Sequence, residues 1–172
     1  CRIRSVRLLP EHPKALDAAV ETIHSADMIV LAPGSLYTSI IPNLLVDGIA
    51  DAIRDSKALK LYVCNVMTQE GETEGHTVSD HIQALFSHSY PRLFPLCLTN
   101  SMPIPACIAR RYAQEGAEPI YHDTEKCRAL GVELIERPIA SLENGLVRHN
   151  SGHLAHELMT IYEEYTSQKD PT

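Results

Sequence analysis

The sequence predicts an α/β protein of Rossmann-like type, a mostly parallel sheet flanked by helices and lacking an N-terminal glycine-rich unit. Three observations point there. Short apolar runs alternate with segments of helical period for most of the 172 residues. Between the run Met28–Leu31 and the apolar segment that follows lies a loop of small polar residues, Ala32-Pro33-Gly34-Ser35 onward. No Gly-x-Gly-x-x-Gly occurs anywhere, although a complete doubly wound nucleotide fold usually opens with one.

In chain order, Arg2, Arg4 and Arg7 alternate with Ile3, Val6 and Leu8, the pattern of an edge strand with a solvated side or of a cationic lip on a cleft. Met28–Leu31 is a buried strand ended by Pro33 and Gly34. Ser35, Thr38 or Ser39 is positioned to cap one helix through Ile41, Leu44, Leu45, Ile49 and Ile53. A second buried strand lies in Ala58–Val66, followed by the polar connection Met67–His76. Thr77, Ser79 or Asp80 then starts a helix carrying Val78, Ile82, Leu85 and Phe86. Leu93–Thr99 reads as a strand, Ala106–Gln114 as a helix and Glu118–Tyr121 as a short strand. Asp123–Leu130 is a helix stopped by Gly131, Val132–Ile135 is the last strand, and Leu154–Thr166 is the closing helix.

The length supports one α/β domain over residues 1–166, expected to be part of a larger one, with residues 167–172 as a flexible tail. A start at Cys1, inside the strand and helix alternation, leads us to expect the C-terminal portion of a longer protein. The net charge of -7 and pI near 5.7 argue against nucleic acid held on a broad basic surface. Five cysteines without a Cys-x-x-Cys pair predict reduced thiols and a cytoplasmic location. No apolar run approaches 20 residues, so membrane insertion is not expected. Walker, Gly-x-Ser-x-Gly and His-Glu-x-x-His motifs do not occur, which leaves hydrolytic triads without support.

Two loops carry candidate chemistry. A helix start presents unpaired N–H groups and a positive dipole end, so Gly34, Ser35, Leu36, Tyr37, Thr38 and Ser39 suit an anionic ligand; a capped turn without a ligand is the alternative. The second loop, Cys64–His81, supplies Asn65, Thr68 and Gln69 for a base or sugar. In it, Glu72 and Asp80 could hold a cation or accept sugar hydroxyls. Both loops follow buried strands and should open on one sheet edge. Tyr112 can stack on a flat ring and Arg148 can fork onto a diphosphate, but from the residues alone a half-buried tyrosine and a surface arginine are the favoured reading. His149, His153 and His156 lack a partner ligand at zinc spacing, so no metal is expected.

The runs Pro33–Val46, Tyr62–Gln69 and Thr77–His81 closely resemble the gluconeogenesis factor (YvcK-like) family of bacteria. The resemblance extends from Val6-Arg7-Leu8 to Leu146-Val147-Arg148-His149. That family is similar in fold to the CofD-like 2-phospho-L-lactate transferases. The resemblance implies a cytoplasmic regulator that binds a nucleotide sugar of the UDP-N-acetylglucosamine type, requires no cofactor, and supports cell shape and growth on gluconeogenic carbon sources. It also implies that Tyr112 and Arg148 hold the nucleotide sugar and that Thr73 belongs with Glu72 in the binding loop. A homo-oligomer is expected on other grounds, since an apolar helix face such as Ile41, Leu44, Leu45 and Ile49 can bury against a partner subunit. Ala32 stands where the family usually has glycine, and Glu70 where it has proline. Two other readings remain: a transferase using a guanylated phospholactate donor, and a half devoted to packing and oligomerisation.

Overall fold

The structure, a computed structural model, describes residues 3–169. Four strands form one parallel sheet in the order β1-β2-β3-β4: β1 Met28–Leu31, β2 Leu59–Val63, β3 Leu96–Asn100 and β4 Glu133–Arg137. The chain thus winds in one direction, each strand joining the sheet beside its predecessor, as the strand and helix alternation predicts.

Alternate residues of β2 explain why it sits inside. Leu59, Leu61 and Val63 face one apolar cluster with Leu98, Ile139 and Ile161, the last from the closing helix α7, Ser151–Lys169. Tyr62 and the adjoining Cys64 face the opposite cluster with Ile41, Ile82, Leu85, Phe94 and Cys97. A strand apolar on both faces needs cover on both. That cover comes from α7 on one side and, on the other, from α4, Val78–Ser87, whose apolar face is buried.

Several elements follow the sequence closely. The helix α5 spans Ala106–Gln114, and α6 spans Thr124–Ala129 with Gly131 beyond it at φ 82°. Thr77 is the cap of α4: its side chain accepts from the Asp80 N–H while the Asp80 carboxylate accepts from the Thr77 N–H, a reciprocal box.

Other expectations are corrected. No strand forms at residues 3–8; Val6 N–H donates to His88 Nε2 at 3.1 Å, and Ile3 and Val6 pack on the core, while Arg2 lies outside the described residues. The single helix expected through Ile53 is broken into a π-helical turn Leu36–Ile40, a short α2 Ile41–Leu44, and α3 Ile49–Asp55. The break has two causes. Gly48 takes φ 95°, and the Asp47 backbone is claimed by the preceding segment, donating to Pro13 O at 2.9 Å and accepting from Ala15 N–H at 3.0 Å. Glu118–Tyr121 contributes a bridge from Pro119 to Met67, not a strand. Helix α7 continues through Lys169, into the expected tail.

Two elements were not foreseen. Helix α1 spans Asp17–Ser25, and an antiparallel hairpin joins β5 Ala140–Glu143 to β6 Leu146–His149. Its turn is Asn144-Gly145 with φ 50° and 74°, the paired positive values that a two-residue hairpin turn requires. The hairpin closes a third apolar cluster, in which Val66, Ala140 and Val147 are buried against Met67, Ile108 and Tyr112.

Candidate functional site

A cleft of about 550 Å³ opens beyond the carboxyl ends of β1 and β2, where ligands of open α/β sheets are usually held. Its walls come from three places: Pro33, Gly34 and Ser35 after β1; Asn65 to Gln69 after β2; and Tyr112 with Val147, Arg148 and His149. The sheet edge brings the first two together, and the hairpin brings the third.

The two loops are joined directly. Asn65 Nδ2 donates to Gly34 O at 2.8 Å. Thr68 is anchored from behind: its N–H donates to Glu118 O at 2.8 Å, and its hydroxyl accepts from the Glu118 N–H at 2.9 Å. Gln69 N–H donates to Thr73 Oγ1 at 2.9 Å, and Gln69 O accepts from the N–H groups of Glu72 and Thr73. Tyr112 Oη accepts from the Val147 N–H at 3.0 Å, fixing α5 to the hairpin. His149 Nε2 lies 3.3 Å from Cys64 O; burial lowers its pKa, an effect the Cys64 carbonyl partly opposes.

Of the residues singled out from sequence, the cleft gathers Gly34, Ser35, Asn65, Thr68, Gln69, Tyr112 and Arg148. The others have structural positions. Leu36 is fully buried in the core, and Tyr37 is buried with its hydroxyl 3.4 Å from His76 Nε2. Ser39 lines a separate apolar groove beside β1. Thr73 is fully buried and engaged with Gln69. Neither Ser35, Thr38 nor Ser39 caps the turn at Leu36. Glu72 does so instead, its Oε1 accepting from the N–H groups of Tyr37 and Thr38. Asp80 serves the α4 capping box. Each carboxylate therefore already accepts a backbone N–H within its own loop or from the neighbouring one.

The cleft also includes Val66, Met67, Val147 and His149, which sequence reading did not assign to it. The Asn144-Gly145 pair was the available signal: reading it as a hairpin turn would have put Val147 and His149 beside Arg148. Among the described residues the Arg148 guanidinium has no ion-pair partner, and it lies exposed at the cleft. No helix among them is long and apolar enough to cross a membrane.

Comparison with known families gives a match over residues 1–140 to CofD, described as 2-phospho-L-lactate transferase. The chain belongs to the CofD family. Its CofD-family relatives include the gluconeogenesis factor of Halalkalibacterium halodurans, 43% identical over 158 residues that cover 92% of this chain and 49% of the relative. The Bacillus subtilis gluconeogenesis factor is 41% identical over 163 residues, covering 95% and 51%. A crystal structure of a Bacillus halodurans protein superposes with a TM-score of 0.88 at 43% identity, over 92% of this chain and 51% of that one. The chain spans about half the length of these curated relatives.

Proposed function

We propose that in the intact protein this chain supplies one wall of a nucleotide-sugar site, of the UDP-N-acetylglucosamine type. The protein is then a cytoplasmic, ligand-sensing gluconeogenesis factor that supports cell shape and growth on gluconeogenic carbon sources. One observation carries the reading: Gly34, Ser35, Asn65, Gln69, Tyr112 and the unpaired Arg148 share a single cleft. That set matches the ligand's parts. Arginine forks onto a diphosphate, an aromatic ring stacks on a planar base, and amides serve base and sugar edges. The relatives named gluconeogenesis factors support the gluconeogenic part of this reading.

The test is thermal unfolding of the full-length protein with UDP-N-acetylglucosamine. Binding to the folded state at a hundredfold excess over Kd should add about 2.7 kcal/mol of stability. Arg148→Ala should remove the shift. No shift in the full-length wild-type protein sinks the proposal.

The CofD match favours a second reading, a transferase acting on a guanylated phospholactate donor. A divalent cation on that donor would need carboxylates. Glu72 and Asp80, the candidates from sequence, already accept from backbone N–H groups that fix the loop after β1 and the start of α4. Product formation from the guanylated donor would establish this reading over the first.

A further inference from the structure

One polar atom in the cleft wall is out of balance. Gln69 Oε1 is buried, yet no hydrogen-bond donor among the described residues reaches it. Its neighbours are satisfied: the Gln69 backbone is held on both sides by Thr73, Asn65 Nδ2 is committed to Gly34 O, and the Thr68 hydroxyl accepts from Glu118. A buried acceptor left unpaired is costly, and native proteins retain few such groups without a use. The backbone of Gln69 is locked, but its terminal amide torsion is soft, so rotation about it can present the carboxamide to the cleft that Gln69 lines.

An amide oxygen repels phosphate and accepts only from N–H or O–H. The one unpaired cation of the cleft, among the described residues, is Arg148 on the hairpin, on a different wall. We propose that Gln69 gives the cleft its polarity: its carboxamide oxygen accepts a hydrogen bond from a neutral N–H or O–H of the ligand, while the ligand's anionic groups lie toward Arg148. This rests on the nucleotide-sugar reading and deepens it by assigning an end of the ligand to each wall. Three parts of such a ligand carry the required donor: the imide N–H of the base, the ribose hydroxyls, and the hydroxyl or acetamide groups of the sugar.

The test is calorimetric titration of the full-length protein, wild type and Gln69→Leu, with UDP-N-acetylglucosamine and with UDP, alongside the melting temperature of the ligand-free proteins. Leucine removes the acceptor without adding one. Gln69→Leu should weaken UDP-N-acetylglucosamine binding about ten- to a hundredfold. The ligand-free variant should melt no lower than wild type, since an unpaired buried acceptor has been lost. A purely structural glutamine would show the opposite. If UDP weakens in parallel, the donor belongs to the nucleoside, base or ribose; if UDP is unaffected, it belongs to the N-acetylglucosamine. Gln69→Met provides the same comparison if the leucine variant fails to fold. Binding that stays within twofold of wild type overturns the proposal, as does a lower melting temperature in both ligand-free variants. Absence of binding to wild type would instead overturn the nucleotide-sugar reading itself.

Discussion

The Glu72 carboxylate closes the amino end of the turn that begins at Leu36, accepting from the Tyr37 N–H at 2.7 Å and from the Thr38 N–H at 3.2 Å. A loop whose composition suggests an anion seat thus already holds an anion from its own chain. The contact spans 35 residues, so it fastens the loop after β1 to the loop after β2. Together with the Asn65 to Gly34 bond it sets the shape of the cleft.

Glu72→Ala should therefore destabilise the fold by about 1 to 2 kcal/mol, the usual loss when a helix start loses its cap. Glu72→Gln keeps an acceptor and loses only the charge, so it should lose less than half as much. Urea unfolding of the two variants beside wild type measures both. An unchanged midpoint for the alanine variant would show that the cap is idle.

Asp123 ties the starts of α4 and α6. Its carboxylate accepts from Ser79 Oγ at 2.5 Å, Thr77 Oγ1 at 2.8 Å and the Ser79 N–H at 2.9 Å. Burial pushes this carboxyl up, but the bonds from Ser79 and Thr77 outweigh it and hold it below the usual carboxylate range. Its contribution is thus present above the unfolded-state pKa near 3.8 and lost as pH falls through the folded value. Asp123→Ala should cost about 2 to 4 kcal/mol at neutral pH, because three donors lose a charged acceptor. Chemical denaturation at pH 7 checks it.

His81 predicts a second pH dependence, at higher pH. Burial pushes the imidazole from 6.5 down to about 4, against a smaller opposing effect of the Thr77 carbonyl. Between those values the unfolded chain takes up a proton that the folded one refuses. The stability held above pH 6.5 is therefore lost progressively as pH falls toward 4, by roughly 3 kcal/mol. His81→Phe should flatten the stability profile across that window. His149, lowered in the same direction, leaves a residual slope. A profile equally steep in the variant would contradict the assignment.

Gly145→Ala probes the hairpin. At φ 74° a side chain is strained, and the added Cβ would meet the Arg111 guanidinium. About 1 to 2 kcal/mol should be lost. Since β6 carries Arg148, ligand binding by the intact protein should weaken with it, and calorimetry on Gly145→Ala reads that coupling.

Legibility in the sequence tracks how local the deciding forces are. Strand β2 and helix α4 are evident because apolar period and the Thr77 cap lie within a few residues of each other. The broken helix at Val46-Asp47-Gly48 is harder, since the residues that claim Asp47 lie near Pro13, over 30 positions away. The Glu72 cap is hidden for the same reason: Ser35, Thr38 and Ser39 are adjacent capping types, and the true acceptor arrives from another loop. The hairpin is legible in Asn144-Gly145, a two-residue turn signal that sets Val147 and His149 beside Arg148. Amides at a strand end did identify one wall of the cleft. Composition alone did not distinguish residues that line it from Leu36 and Thr73, which the core absorbs.

The central claim is that this cleft receives a nucleotide sugar with Arg148 at its charged groups. Calorimetric titration of the full-length protein with UDP-N-acetylglucosamine tests it most directly, wild type against Arg148→Ala. The account predicts saturable one-site binding to wild type, weakened about tenfold or more in the variant as a charge-assisted contact is lost. Equal affinities, or no binding to the wild-type protein, would contradict it.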